Sequence, residues 1–491
     1  MLGPSESHEQ FRDRVRAQLS ARYSAQELQT WTDELDLVWR ANLDFADELL
    51  RSTYSPDSGR PVEYPPKDLL RCLLLCQQRA KRSLTRWHKQ LQREPVLLIL
   101  SGLTALPCIG TFYGLLDRLH PRLPGQRVSG VVRRHRRVPK PASGQKLPPN
   151  RKKLARLATW LQNHLDTPAP TPADLWDQIL AATVVGSVDR GIIPAQTPIA
   201  VAADGSLLDS GAYSHGHKVC SCPGHGCTCP RYFGDPTARV GYDSTKNRFM
   251  LGRTVYTLSE TVSGHHLPIT LLTGPANQHD AISQMLSLRT ARHLLATRLS
   301  IATTYADSAH DHDPVYRYCH HLGIEPVTDR HGPTPVPLPA VRDRVSAFDL
   351  TLSPDGRPRC AHGFLHSRGH CRTGVRQFQC PNAQPALCPE TCCPLHDGSR
   401  FTIDVGLQPR LLARNPRTEP YTRKDYRRRT AVERTFSLLT SASGLDTARH
   451  RRDYVWHGRL VITALLRHLQ LWASTTLPSF ASPPTPAPPG G

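Results

Sequence analysis

The chain has 491 residues, and 62 Lys and Arg against 41 Asp and Glu give it a formal charge of +21. That length allows roughly two to four domains, and 38% hydrophobic residues exclude a wholly disordered chain. The isoelectric point near 9.7 directs attention to a polyanion, either nucleic acid or an anionic membrane surface.

The opening residues lack the apolar h-region of a signal peptide, so a cytoplasmic chain is expected. Its 14 Cys are then expected as thiols or metal ligands and not as disulfides. Residues 95–116 carry no charge over a membrane-spanning length, but Ser101-Gly102 and Pro107 interrupt them, so two helices and a loop are expected, with no membrane partner.

In chain order, residues 1–120 read as an all-helical region. Leu69, Leu70, Leu73, Leu74 and Leu75 recur at helical spacing after Pro65-Pro66, with further helices expected over 84–100 and 110–119. Residues 121–195 form a connector rich in Pro, Lys and Arg, which suits either a solvated linker or a contact to a phosphate backbone. From 196 to 475 the texture turns to α/β. A buried strand is expected over 199–203, two hairpin strands over 248–258 and 264–272, and a helix over 281–297. Further strands follow over 301–306 and 323–327. This order predicts a mixed sheet with helices packed on it. The Pro-rich tail, 476–491, is expected to be disordered.

Asp204 and Asp307 each follow an apolar strand, in AVAADGS and TTYADSA. A carboxylate in that position is costly without compensation, and a divalent cation commonly supplies it; an ordinary turn or cap Asp is the plainer reading of either alone. Glu433 lies in YRRRTAVERTFSLL, where Val432, Phe436 and Leu439 form an apolar stripe. Tyr426, Arg429 and Glu433 are spaced by three and four residues, so they share one helix face, as a surface ion-pair face also would.

These three blocks, AVAADGS, TTYADSAHD and YRRRTAVERTF, resemble the catalytic blocks of DDE transposases of bacterial insertion sequences. The similarity is to the IS4-related group that includes the IS1182-like elements. The stretches GRPVEYPPKDLLRCLLLCQQRAKRSLTRWHKQL and GLTALPCIGTFYGLLDRL are similar to the helical region preceding the catalytic domain in such enzymes, and 449–472 shares their texture.

The resemblance implies a ribonuclease-H-like mixed sheet with an insertion at about 333–400, preceded by a helical DNA-binding or dimerisation region. It implies Asp204, Asp307 and Glu433 as ligands of two Mg²⁺ or Mn²⁺ ions, which suit oxygen donors. Tyr426 and Arg429 match the glutamate motif of the group, whereas Thr440 stands where it has Lys. Arg449 or Arg451 is therefore expected to supply the lost DNA contact. The implied activity is DNA cleavage and strand transfer at terminal inverted repeats, by a homodimer on DNA, at a nucleoid-associated location in a prokaryote. A catalytically inactive, domesticated DNA-binding protein and a nuclease of the same fold are the alternatives.

Two cysteine clusters remain. Cys220, Cys222, Cys227 and Cys229, with His215, His217 and His225 nearby, suit a metal knuckle or plain thiols in a loop. Cys360, Cys371, Cys380 and Cys388, with Cys392 and Cys393, fall in the expected insertion, where Zn²⁺ would stabilise a segment rich in Pro and Gly. Cys72, Cys76 and Cys108 read as core residues, and His265-His266 as a turn.

Overall fold

The computed structural model describes residues 5–54, 62–120, 131–132, 151–164, 175–194, 198–214, 216–223, 227, 229–244, 246–329, 336–337, 351–352, 357–360, 363–370, 375–380, 400–407, 409–412 and 420–475. The tail at 476–491 lies outside the described residues. Within them the chain is mixed α/β.

The central sheet is built from β1 (Ile199–Asp209), β2 (Arg239–Asp243), β3 (Arg248–Glu260), β4 (Pro268–Pro275), β5 (Ile301–Ala306) and β6 (Glu325–Thr328). β3 pairs antiparallel with β1, and its other edge is shared by β2 and β4, both antiparallel. β1 then pairs parallel with β5, and β5 parallel with β6. The crossover from β4 to β5 carries the helix Asp280–Leu295.

The helices that position the site are α1 (Pro66–Gln78), α2 (Leu84–Arg93), α3 (Leu175–Asp189), α4 (Asp280–Leu295), α5 (Thr430–Phe436) and α6 (Asp453–Thr475). One apolar core runs from Phe11 through α1, α3 and α4 to Trp472 on α6, so the N-terminal helices and the sheet are not separately cored. α6 is the shared element. Arg459, wholly buried on it, donates from Nε and Nη2 to Gln77 Oε1 of α1 at 3.0 and 2.7 Å.

Several expected elements differ in extent. β1 does not stop at Ala203: it runs on to Asp209, because the 13-residue β3 gives it an antiparallel partner that far. The parallel pairing does stop, at Ala203 opposite Ala306. The helix expected over 84–100 is two, Leu84–Arg93 and Val96–Ser101, since Pro95 restricts Glu94 and withholds an amide. The second ends at Gly102, whose φ of +85° serves as its left-handed cap. β2 was not legible in the sequence. The stretch read as a connector contains the helices Arg151–Asn163 and Leu175–Asp189, and α3 buries Trp176, Ile179, Leu180 and Val184 in the core.

Within the expected insertion, the described strands form two small antiparallel sheets. One comprises Val336–Pro337, Thr351–Leu352, Pro358–Cys360 and Gly363–Phe364; the other His366–His370, Val375–Gln379 and Arg400–Asp404. Among the described residues, no helix is long and apolar enough to cross a membrane.

Candidate functional site

Where β1 loses its parallel neighbour, two carboxylates stand one residue beyond the last paired positions of adjacent strands. Asp204 follows Ala203 on β1, and Asp307 follows Ala306 at the end of β5. Neighbouring strands lie about 4.8 Å apart, so this register sets the two acids side by side. The Gly205 N–H donates to Asp204 Oδ1 at 2.7 Å. Burial, and then the charge of Asp307, push the Asp204 carboxyl up to about 6.

Asp307 caps the one-turn helix Ser308–His310, accepting from the Ala309 N–H at 3.0 Å. His310, fully buried, places Nδ1 2.6 Å from Asp307 Oδ1 and Nε2 2.9 Å from the Tyr256 hydroxyl of β3. Burial disfavours the imidazolium, yet the hydrogen bond to Asp307 and the charges of Asp307, Asp280 and Asp204 outweigh it and raise the His310 pKa. Burial likewise opposes ionisation of Asp307, but the His310 contact prevails and holds this carboxyl below its ordinary range.

The third acid arrives from far along the chain. The stretch expected as one helix is a succession: Pro420–Tyr426 is α-helical, Arg427–Arg429 a 3₁₀ turn, α5 follows, and Ser437–Ser441 is a π turn. Val432 and Leu439 are buried and Phe436 half-buried, so the apolar stripe holds. It packs over Ala202 of β1, with Ala431 and Val432 against that residue. The Tyr426 hydroxyl donates to Ala306 O at 3.1 Å, one residue before Asp307. Arg429 donates from Nη2 to Glu433 Oε1 at 2.5 Å and sets Nη1 3.5 Å from Asp204 Oδ2. Tyr426, Arg429 and Glu433 thus meet the two aspartates at one end of the sheet.

A fourth acid completes the group. Asp280 opens α4, and its Oδ1 lies 2.5 Å from where a β-carbon on Gly205 would stand. Burial raises its pKa, opposed by His310. In the sequence Asp280 is an ordinary acid in a first helical turn, a position the helix dipole favours by itself, so nothing there marks it. Nor does the block TTYADSAHD mark His310 as more than a loop histidine. Asp280 also lines a cleft of about 460 Å³ with Gly205, Asp243, Thr440 and Asp446. Thr440 is buried and donates to Phe436 O at 2.8 Å. It lies in the π turn Ser437–Ser441 and lines the cleft with Gly205 and Asp280.

Oxygen donors of this kind suit a hard divalent cation. Among the described residues, however, the acids are not drawn together at ligand distance: Arg429 lies between Asp204 and Glu433. The cysteines are. The Sγ atoms of Cys220, Cys222, Cys227 and Cys229 all lie within 4.8 Å of one another, so these four residues could hold a metal. Hydrogen bonding and charge among the thiols push Cys229 up to about 12. His217 lies at the base of this loop, whereas His215 and His225 lie outside the described residues.

In the second cluster Cys371, Cys388, Cys392 and Cys393 lie outside the described residues, and only the backbone of Cys360 is described. Cys380 is a half-buried thiol. Cys72 and Cys76 are buried as expected, but Cys108 is exposed, because it precedes the first turn of Ile109–Leu119 at the surface, with Thr111 Oγ1 3.3 Å from its Sγ. His265-His266 is a turn, with His266 at φ +56° and Nε2 2.8 Å from Arg434.

Arg449 and Arg451 are not among the residues lining the cleft of Asp280. With Arg82, Arg86 and Arg452 they line a groove of about 570 Å³ between the start of α2 and the segment leading into α6. Arg449 has one acid near, Asp209 Oδ2 at 3.9 Å. No protein-family model matches the chain, and no curated protein matches it.

Proposed function

We propose that this chain is a transposase that cuts DNA and transfers strands at insertion-sequence ends, with Asp204, Asp307 and Glu433 as its metal-holding acids. The observation that carries this reading is the convergence of three acids, distant in sequence, at the end of the parallel pair β1 and β5. The sheet supports it: β1, β3 and β4 pair antiparallel with β2 added on β3, and after a helical crossover β5 and β6 continue parallel to β1, an order compatible with a ribonuclease-H-like domain that carries one extra edge strand.

Each residue then has a task. Asp204, Asp307 and Glu433 would hold two Mg²⁺ or Mn²⁺ ions, which when bound supply Lewis-acid activation of the attacking oxygen and stabilisation of the leaving one. His310 fixes Asp307 by its hydrogen bond, and Tyr426 fixes the Glu433 segment on β5. Arg429 pairs with Asp204 and Glu433, and its guanidinium would suit a phosphate oxygen were a cation to hold those acids instead. Arg449 and Arg451 contact the DNA backbone. The four thiolates at Cys220, Cys222, Cys227 and Cys229 take zinc. A homodimer on DNA, acting at terminal inverted repeats in the prokaryotic nucleoid, belongs to the same reading.

One observation favours a catalytically inactive DNA-binding protein instead: Arg429 closes the space between Asp204 and Glu433 as a salt bridge would in a retired site. Incubation of the full chain with a plasmid carrying its native flanking DNA decides between them. Magnesium-dependent nicking followed by joining, lost in Asp204→Asn, Asp307→Asn and Glu433→Gln, supports the transposase. Nicking without joining marks a nuclease, and binding without either marks the inactive protein.

A further inference from the structure

The excursion between β1 and β2 is poor in everything that usually folds a chain. Its strands, His217–Lys218 and Arg231–Tyr232, are two residues each, joined by the Val131–Val132 strand. Its large apolar side chains face water: Tyr213 is 76% exposed and Val219 54%. Such a segment needs a crosslink to hold one shape. The thiols are arranged for one. Cys220 and Cys227 lie 3.5 Å apart, as do Cys222 and Cys229, and all four fit within 4.8 Å. Zinc–thiolate bonds of about 2.3 Å in a tetrahedron set sulfurs roughly 3.8 Å apart, whereas a disulfide needs about 2.05 Å.

Both ends of the excursion are fastened to the segment that carries the groove arginines. On the way out, the Gly211 N–H donates to His450 O at 2.9 Å, and Arg451 Nε donates to Gly211 O at 3.1 Å. The fit is tight enough that a β-carbon on Gly211 would stand 2.2 Å from Arg449 O. On the way back, Asp235 accepts from Ser210 Oγ at 2.8 Å and pairs with buried Arg253 at 2.5 Å. Thr237 Oγ1 then donates to Asp453 Oδ2 at 3.4 Å. Arg449 and Arg451 therefore sit against the root of the excursion, facing Arg82 and Arg86 across a groove with no acid among its described lining residues.

We infer that a single zinc ion on Cys220, Cys222, Cys227 and Cys229 sets the shape of this arginine groove, and that zinc loading thereby governs the grip of the chain on a DNA phosphate backbone. The inference rests on the zinc and DNA readings above but not on catalysis, since the groove and the acids are separate.

The test uses the full chain and a fluorescent duplex of arbitrary sequence. Elemental analysis should find one zinc per chain fewer in the Cys222→Ser/Cys229→Ser variant than in the wild type. That variant should bind the duplex about tenfold more weakly, with a salt dependence shallower by roughly two contacts. Arg82→Ala/Arg86→Ala should keep its zinc and lose similar affinity. Should the serine variant fail to fold, chelation of wild-type zinc and its restoration should lower and recover the affinity. A zinc-free wild type, a zinc-depleted protein that binds duplex as before, or a groove variant of unchanged affinity each overturns the inference. Zinc-dependent binding without any strand cleavage leaves it standing while removing the transposase reading.

Discussion

Asp280 occupies the space that the missing side chain of Gly205 leaves open, with Oδ1 2.5 Å from the position a β-carbon would take. The glycine is what lets a fourth acid approach the strand that carries Asp204. Gly205→Ala should therefore destabilise the protein by about 1–3 kcal/mol, the usual cost of overpacking. In an Asp280→Ala background the same change should cost little, because the next neighbour, Thr254 Oγ1, is at an ordinary 3.4 Å. Thermal unfolding of the four proteins of this cycle measures the coupling; equal costs in both backgrounds would refute the contact.

Arg429 competes with any cation for Asp204 and Glu433. Arg429→Gln should tighten Mn²⁺ binding roughly three- to tenfold, the scale of about 1 kcal/mol for a half-exposed ion pair. The same variant should weaken duplex binding and flatten its salt dependence by about one contact. Opposite signs on the two titrations identify a shared role; unchanged Mn²⁺ affinity would show that the arginine does not guard the acids.

Stability should fall as pH rises through the range where Asp204 ionises. Its folded carboxyl lies at about 6, above the ordinary 3.8, so the native state holds the proton more tightly than the unfolded chain. That contribution is complete below about pH 4 and lost as pH passes about 6. At roughly 1.4 kcal/mol per unit it amounts to something on the order of 2–3 kcal/mol. Asp68, buried beside Arg71 and also raised to about 6, adds a slope of the same sign. In chelator-treated protein, Asp204→Asn should flatten the decline of melting temperature between pH 4.5 and 6.5, and Asp68→Asn should do so independently. A decline as steep in Asp204→Asn as in the wild type would contradict the assignment.

The helical region and the sheet are joined through Arg459. Its guanidinium reaches Gln77 Oε1 twice and Lys81 O once at 2.5 Å, all in the interior. Hydrogen bonds to a charged group contribute about 1.5–3 kcal/mol, and Arg459→Ala would also take both of these donors from the buried Gln77 Oε1. We expect a melting temperature several degrees lower and new proteolytic cleavage between α1 and α2, near Ala80, where φ is +47°. Unaltered proteolysis would mean that apolar packing alone holds the two parts together.

Some of this was written in the sequence because the deciding forces are local. The apolar runs at 69–75 and 301–306 appear as a buried helix and a strand at the expected places, since periodicity and burial fix them without reference to distant residues. The stripe Val432, Phe436, Leu439 likewise marks the face that packs on the sheet. The four cysteines are close in sequence, so a short loop suffices to gather them.

What escaped was decided by partners far along the chain. β1 runs on to Asp209 because β3, some fifty residues later, offers it hydrogen bonds, and no pattern within 199–209 announces that. Asp280 and His310 looked ordinary, one as a helix-start acid and the other as a loop histidine. They join the site because Gly205 leaves room for the first and Tyr256 of β3 receives the second. The helix expected through Thr440 passes into a π turn, Ser437–Ser441, which a spacing rule cannot foresee. Local physics sets which segments are helix or strand and which residues carry charge. Only the pairing of strands and the packing of α5 and α6 brought the acids to one sheet end and the arginines to one groove.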